Sequence, residues 1–579
     1  MWPNACFASV HMGRWPSFQG STIVIAQQAR ATRSPDSHLD LHKWSGIGAD
    51  GRKPLFKVLR VGSYPFLRSP YFWAGSLTFL LFIPVIVVLP TANDLFVHAA
   101  TIEQLKANFW SPRDPMVNEP GAGNPYFSPY MVFWALLGNV TGLDAFGVLR
   151  AAAALNVLLL LWGIRSFTRT FTSNRWAPVA SLAAVFFLWG TKAFYWSGFI
   201  SLAGLVASVA YPSTFSAAVG LLLCSWVSRC FDADPGNGRR MGLITGLILG
   251  GAAVLMSHQF TALGIATYGA TYALRHWRRI DRGLGIGLLI IGLGIAATAW
   301  LWPWYNLFTA SGGVASFNAV HRPLYENLIA RYCLLLLVCP VLVCRLRKDR
   351  ADPLSVTILI CFAAFVYGGV SGNYFLARVF PMAALLGQVS FGIAIVHSLQ
   401  ADRMRLGKIA GWTGILAFAA GAVFQSGFIN MLSPGSYPPA MAKIFGKGQT
   451  HGSYSWITKY VSPGDTIMTT TRQALIMAPG YGIFTVMPVW PDPVLGEVSE
   501  RRINDSREFF RASTTESRRG QLMRKYAARW VIVADEGSAK LRADPNFVWI
   551  GERPEEPNTR PVDVAQRHQL FEYVARVIP

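Results

Sequence analysis

Charge is scarce in this chain. Of its 579 residues only 14% are Asp, Glu, Lys or Arg, where a soluble globular protein carries about 25%. That scarcity excludes an ordinary water-facing surface. Cysteine is sparse as well. There are seven, none after position 361; six lie in or beside apolar segments (Cys224, Cys230, Cys333, Cys339, Cys344 and Cys361), with Cys6 near the start. This distribution argues against a disulfide framework and a cysteine-ligated zinc site. No apolar stretch follows a short basic start, so residues 1–70 do not read as a signal peptide. They read as a basic, largely disordered cytoplasmic tail. A nucleotide loop is missing too: Gly283-Leu-Gly-Ile-Gly287 follows no strand and opens an apolar segment.

What is present is apolar length. Hydrophobic residues make up 52% of the chain, and its mean hydropathy is +0.34. Eleven apolar segments stand out: 71–90, 147–164, 176–194, 212–228, 241–258, 259–274, 284–303, 328–344, 353–370, 376–397 and 409–430. A helix of about 20 residues spans the roughly 30 Å hydrocarbon core of a bilayer. The segments therefore predict a polytopic α-helical membrane protein. Within them, Gly242, Gly246 and Gly250 recur at four-residue spacing, which predicts a smooth face for helix packing.

The net charge of +22 would point to nucleic acid in a soluble protein. Here the basic residues fall between apolar segments, so they read as topology signals and nucleic acid is not an expected partner. Clusters occur before the first segment (Arg52, Lys53, Lys57, Arg60) and after the second (Arg165, Arg169, Arg175) and fourth (Arg229, Arg239, Arg240). They return after the sixth (Arg275, Arg278, Arg279, Arg282), eighth (Arg345, Arg347, Lys348, Arg350) and tenth (Arg403, Arg405, Lys408). Every second connection is basic. The positive-inside rule then places the N-terminus in the cytoplasm and the C-terminus outside. The membrane part covers 71–435, with a large first outer loop at 91–146. From about residue 440 the composition turns soluble. Ser453–Val461 and Asn504–Tyr526 have helical periodicity, while Thr466–Thr470, Gly482–Val489 and Trp530–Ala534 read as strands. Residues 440–579 are thus expected to form an extracytoplasmic α/β domain.

Few ionisable residues remain at the outer end. Asp94 lies within one turn of the first segment's exit. In Thr91-Ala-Asn-Asp94 it fits a helix cap, and it equally fits a general base that deprotonates an acceptor hydroxyl. Glu103, Asp114 and Glu119 share its loop as candidates for holding an acceptor or a metal, though each also reads as a solvated loop residue. Arg378, in Gly372-Asn-Tyr-Phe-Leu-Ala-Arg378-Val-Phe-Pro381, stands just inside an apolar segment. A guanidinium there is costly without a partner, and its fork suits phosphate; the bland alternative is snorkelling to the outer surface. His258 interrupts another apolar run and suits a phosphate, a sugar or a hydrogen bond between helices. Lys192, His321, Arg322 and Arg331 rank behind these. Asp232-Ala-Asp234 has metal-binding spacing but sits in a short loop on the basic side, beside turn residues.

The arrangement resembles the GT-C superfamily of polytopic glycosyltransferases. The resemblance rests on Asp94 after the first segment, a following helix at Phe96–Phe109, and the Pro- and Tyr-rich run Trp110–Tyr130. It rests also on Arg378-Val-Phe-Pro381 opening a late segment and on a soluble domain on the same side. It implies a sugar donor carried on a polyprenyl phosphate, Asp94 as catalytic base, Arg378 with His258 on the donor phosphate, and inversion at the anomeric carbon. The acceptor would be an extracytoplasmic glycan, lipid or protein, and the location the plasma membrane. A divalent cation is a candidate cofactor, although Asn93 stands where some members carry a second acid. Two other readings stay open: a transporter or flippase of a lipid-linked or anionic substrate, and a non-catalytic scaffold of an envelope-assembly complex.

Overall fold

Apolar runs become helices here because a backbone away from water must satisfy its own hydrogen bonds. The computed structural model describes residues 68–92, 94–121, 123–232, 238–307, 314–400, 405–490, 494–554 and 567–574. The expected N-terminal tail, Asp234 and the last basic cluster's Arg403 lie outside the described residues. The helices run in order: α1 (Pro70–Val88), α2 (Leu95–Ala107), α3 (Pro129–Thr141), α4 (Ala145–Thr168), α5 (Ala177–Phe187), α6 (Leu202–Ser208), α7 (Pro212–Asp232) and α8 (Gly238–Ser257). They continue with α9 (Gln259–Arg275), α10 (Arg282–Leu301), α11 (Val314–His321), α12 (Leu328–Tyr332), α13 (Val338–Lys348), α14 (Pro353–Ser371), α15 (Phe380–Leu399) and α16 (Arg405–Phe424).

Nine helical stretches among the described residues are long and apolar enough to cross a membrane. Each coincides with an expected segment. Their outward faces carry exposed apolar side chains, such as Leu77, Leu80, Leu81 and Val87 on α1 and Leu289, Leu293 and Leu301 on α10. Patches of that extent are foreign to a soluble monomer and natural against lipid. The innermost helix is α15. Its apolar window is 94% buried, against 17% for α10. That places Arg378, one turn before α15, at the entrance to the core of the bundle.

Two expected segments differ. The 259–274 segment is the 17-residue α9, below the length of the spanning set. The 176–194 segment is helical only as α5, over 11 residues. Beyond Leu188 the chain turns away to bond with a distant segment: Lys192 N–H donates to Ala330 O at 2.9 Å, and Leu334 N–H to Trp189 O at 2.9 Å. Gly190 allows the approach, since a Cβ there would lie 2.3 Å from Ala330 O. The glycine face of α8 forms in part. Cβ atoms at Gly246 and Gly250 would meet Trp226 and Leu223 of α7 at 2.8 and 2.9 Å, whereas Gly242 faces open space.

Past residue 450 the chain builds a mixed five-stranded sheet from β1 (Thr466–Met468), β2 (Phe484–Thr485), β3 (Ala528–Ala534), β4 (Phe547–Glu552) and β5 (His568–Tyr573), in the order β2-β1-β3-β5-β4. β1 pairs parallel to β2 and β3, and β5 antiparallel to β3 and β4. The three expected strands are β1, β2 and β3, the middle one shorter than expected. The 504–526 periodicity divides between two helices, Glu497–Phe509 and Glu516–Lys525, and 453–461 is a single 3-10 turn at Ser455–Lys459.

The first loop extends this sheet. Val117 bridges to Thr485 of β2, and Thr485 N–H donates to Met116 O at 2.9 Å. Arg502 completes the junction: its Nε and Nη2 donate to Glu119 Oε1 at 3.1 and 2.5 Å, and its Nη1 to Val486 O at 2.8 Å. The Arg502 side chain is 5% exposed and that of Glu119 is 32% exposed. Arg502→Gln leaves a carboxylate and a carbonyl without their donor. Since Glu119 keeps access to water, the expected loss is about 1–3 kcal/mol. It reads out as a lower unfolding midpoint of the purified protein, and adding Glu119→Gln should cost little more. An unchanged midpoint contradicts this account of the junction.

Candidate active site

Asp94 occupies the N-cap position of α2, yet its side chain makes no capping hydrogen bond. The capping role open in the sequence is therefore not taken up, and the carboxylate stays available. Its backbone is held on both sides. Upstream, His451 N–H donates to Thr91 O at 2.8 Å, and the Thr91 hydroxyl donates to Gly452 O at 3.2 Å, so the C-terminal segment grips this turn. Opposite, the Tyr211 hydroxyl donates to Ala92 O. Tyr211 is itself set by Asn156 of α4, whose amide donates to Val209 O at 2.8 Å and to the Tyr130 hydroxyl at 3.0 Å. Burial pushes the Asp94 carboxyl above the usual carboxylate range, and the positive charge of Arg378 works against that rise.

Arg378 comes from the 3-10 turn Tyr374–Val379 that leads into α15. Its Nη2 lies 2.8 Å from His258 Nε2, and its guanidinium carbon lies 5.8 Å from the centre of the Phe260 ring. Its Nε is buried with no partner among the described residues. Arg378 acts on Asp94 electrostatically, but no ion-pair contact joins them. His258, the cap of α9, fixes its own proton. A guanidinium can only donate, so Nε2 accepts and Nδ1 carries the hydrogen, which it gives to Thr261 Oγ1 at 2.7 Å. The Thr261 N–H lies 3.3 Å from that same Nδ1, but with Nδ1 protonated it donates to the His258 carbonyl at 3.1 Å instead. His258 is thereby a neutral imidazole, and the positive charge belongs to Arg378 alone.

Three further side chains belong here and were not singled out in the sequence. Tyr126 couples electrostatically to Arg378 and Tyr211. His98, one turn along α2 from Asp94, packs edge-on to Tyr211 with ring centroids 4.6 Å apart. Its Nδ1 is buried without a partner among the described residues, and burial pushes its pKa down to about 3. A histidine inside the apolar run Phe96-Val97-His98-Ala99 was a visible signal; a tyrosine closing an apolar segment, as Tyr211 does, was none.

The other acids are engaged elsewhere. Glu103 accepts from Ala145 N–H at 2.8 Å and pairs with Lys106 at 3.3 Å. Asp114 is buried and accepts from Met116 N–H, Val117 N–H and Asn124 Nδ2 at 2.9, 3.0 and 2.8 Å. Glu119 holds Arg502. Among the described residues no three His, Cys, Asp or Glu side chains form a metal-binding group. Asp94 belongs to no such group among the described residues, and its carboxylate lies in the field of the Arg378 guanidinium. Of the lesser candidates, Arg331 lies over the Phe194 ring at 4.1 Å, His321 is buried beside Trp196, and Lys192 and Arg322 are exposed. Asp232 pairs with Arg279 at 3.4 Å.

No protein-family model matches the chain, and no curated protein does. Solved structures do. Arabinofuranosyltransferase AftD from Mycobacteria aligns with a TM-score of 0.50 at 13% identity, over 87% of this chain and 40% of AftD. The chain has the GT-C fold. Oligosaccharyltransferase AglB from Archaeoglobus fulgidus, in complex with an inhibitory peptide and a dolichol-phosphate, aligns at 0.46 and 12% identity over 82% of this chain and 70% of AglB. Its complex with Zn and sulfate aligns at 0.47 and 12% over 86% and 73%. On this GT-C fold, the turn carrying Asp94 depends on a single hydroxyl from the bundle. Tyr211→Phe removes it and should speed hydrogen exchange of the amides at 94–98 by about tenfold, the equivalent of one lost hydrogen bond near 1.4 kcal/mol. Unchanged exchange would show that the C-terminal segment alone holds the turn.

Proposed function

We propose that the protein is a membrane glycosyltransferase that moves a sugar from a polyprenyl-phosphate donor to an extracytoplasmic glycan, lipid or protein acceptor, with inversion. The observation that carries this reading is the meeting of Asp94 and Arg378. A carboxylate that caps nothing stands in the field of a half-buried guanidinium, without touching it. Such a pair can serve two ends of one displacement.

In the proposed reaction the donor phosphate binds at Arg378, whose unpartnered Nε and fork-shaped face suit phosphoryl oxygens. Neutral His258 orients the guanidinium and adds no charge. The acceptor hydroxyl approaches Asp94. As its oxygen attacks the anomeric carbon, its proton passes to the Asp94 carboxylate. The bond from that carbon to the phosphate oxygen breaks, and the electron pair leaves with the polyprenyl phosphate, stabilised by Arg378. A carboxyl pushed upward by burial is a stronger base than an exposed one. We place this end outside the plasma membrane, because the basic connections gather at the opposite end of the helices. In this reading residues 71–435 form the catalytic membrane part, and the α/β segment 440–579 presents the acceptor.

The deciding experiment is transfer from a panel of polyprenyl-phosphate sugars in membranes. Asp94→Asn, expressed and folded normally, should lower turnover by about 10²–10⁴-fold; full activity would remove Asp94 from the chemistry. Arg378→Lys keeps the charge and loses the fork, so activity should fall by about tenfold or more. The pH profile supplies a signed test. Activity should decline as pH falls through the raised pKa of Asp94. Because the charge of Arg378 holds that pKa down, residual activity in Arg378→Gln should lose its acid limb at higher pH than the parent. A limb displaced to lower pH contradicts the coupling.

A further inference from the structure

A group of arginines gathers at the other end of the bundle. α1 begins at Pro70 and ends just before the Asp94 turn, so its ends are about 28 Å apart. Tyr71, in its first turn, donates to Leu161 O of α4 at 2.6 Å. The chain of α4 then continues Trp162-Gly-Ile-Arg165-Ser166-Phe-Thr-Arg169. Arg229, near the end of α7, lies alongside. Trp162, Arg165, Ser166, Arg169 and Arg229 line a cavity of about 360 Å³.

No carboxylate lines this cavity. None of its three guanidiniums forms an ion pair among the described residues. Asp232, the next acid along α7, is exposed and committed to Arg279. Two of the arginines are fixed by neutral oxygens instead. Arg229 Nη2 donates to Ser166 Oγ at 3.1 Å, and Ser166 Oγ shares a hydrogen bond with Ser225 Oγ at 2.8 Å. Arg169 Nη1 donates to Ser173 O at 2.5 Å. Neutral acceptors hold these forks in place and leave their charge uncompensated. The C-terminal end of α4 offsets a fraction of the repulsion. Arg165 is exposed and Arg169 and Arg229 are half-buried, yet all three line one cavity.

The lining also says which way the cavity faces. Trp162 is 53% exposed on a membrane-spanning helix, as a tryptophan at the lipid interface is. We propose that this cavity binds a phosphate group, presented by the headgroup of an anionic phospholipid. Three converging guanidiniums match the several oxygens of a phosphodiester, and a basic pocket between helices at the basic end of a membrane protein is suited to such a headgroup. The site is separate from the one around Asp94 and does not depend on the reaction proposed there.

The test is native mass spectrometry of the full-length protein in detergent, titrated with cardiolipin and, in parallel, with phosphatidylcholine. The parent should retain one cardiolipin in preference to phosphatidylcholine. Arg165→Gln with Arg229→Gln should weaken that retention about tenfold or more. Arg347→Gln with Lys348→Gln, exposed basic residues outside the cavity, should leave it unchanged. Arg165→Lys with Arg229→Lys preserves every charge that insertion needs and loses only the forks, so it remains informative if the glutamine variant fails to fold. Retention about tenfold weaker in the lysine variant supports the site; retention equal to the parent overturns it and leaves the arginines a topological role. Inorganic phosphate is the competing probe. No displacement at millimolar concentration assigns the site to lipid, while displacement at lower concentration keeps the phosphate chemistry and overturns the lipid source.

Discussion

The structure turns on a half-buried guanidinium at the head of its most buried helix. An unpaired positive charge in that position costs several kcal/mol, and the surroundings of Arg378 answer it without cancelling it. His258 accepts one hydrogen bond from it, the Phe260 ring lies near, and Asp94 lends its field without an ion-pair contact. A direct Asp–Arg pair would have been a closed structural element. Separation keeps the positive charge usable by an incoming anion and the carboxylate usable by a proton.

That separation has to be maintained, and the rest of the fold does so. α15 fixes Arg378 from within the bundle. Asp94 hangs on a short turn between α1 and α2 that is tethered from two directions: by Tyr211 from the bundle, and by the Thr91–His451 and Thr91–Gly452 bonds from the C-terminal segment. The first loop beyond α2 is stiffened by Asp114 and joined to the sheet through Val117–Thr485 and Glu119–Arg502. The described residues accordingly belong to one compact unit. The C-terminal segment thereby bonds directly to the turn that carries Asp94 and to the loop beyond α2.

Much of this was legible in the sequence, for identifiable reasons. Bilayer-length apolar runs have few alternatives, so the spanning helices coincide with expected segments. α5 escaped because its termination depends on Gly190 meeting Ala330, a contact between remote segments. A lone charge in an apolar run announces itself, which is why Arg378 and His258 were visible. Glu119 was hidden because its partner is an arginine at position 502, and Glu103 in part because it also accepts from the remote Ala145 amide. Asp114 accepts from Met116 and Val117 within its own turn, a local role that its Pro-flanked setting already suggested. Strand β4, Phe547–Glu552, carried a β-branched and aromatic signal that was overlooked, and β5 completes its pairing only across a long connection.

The account's central claim is that Asp94 and Arg378 oppose each other across a donor-phosphate site. Equilibrium binding of a short-chain prenyl phosphate to the purified parent, Asp94→Asn and Arg378→Gln tests it most directly. Loss of a negative charge near the phosphate should tighten binding in Asp94→Asn, and loss of the guanidinium should weaken it in Arg378→Gln. Shifts in those opposite directions are the predicted result; one affinity shared by all three proteins would contradict the claim.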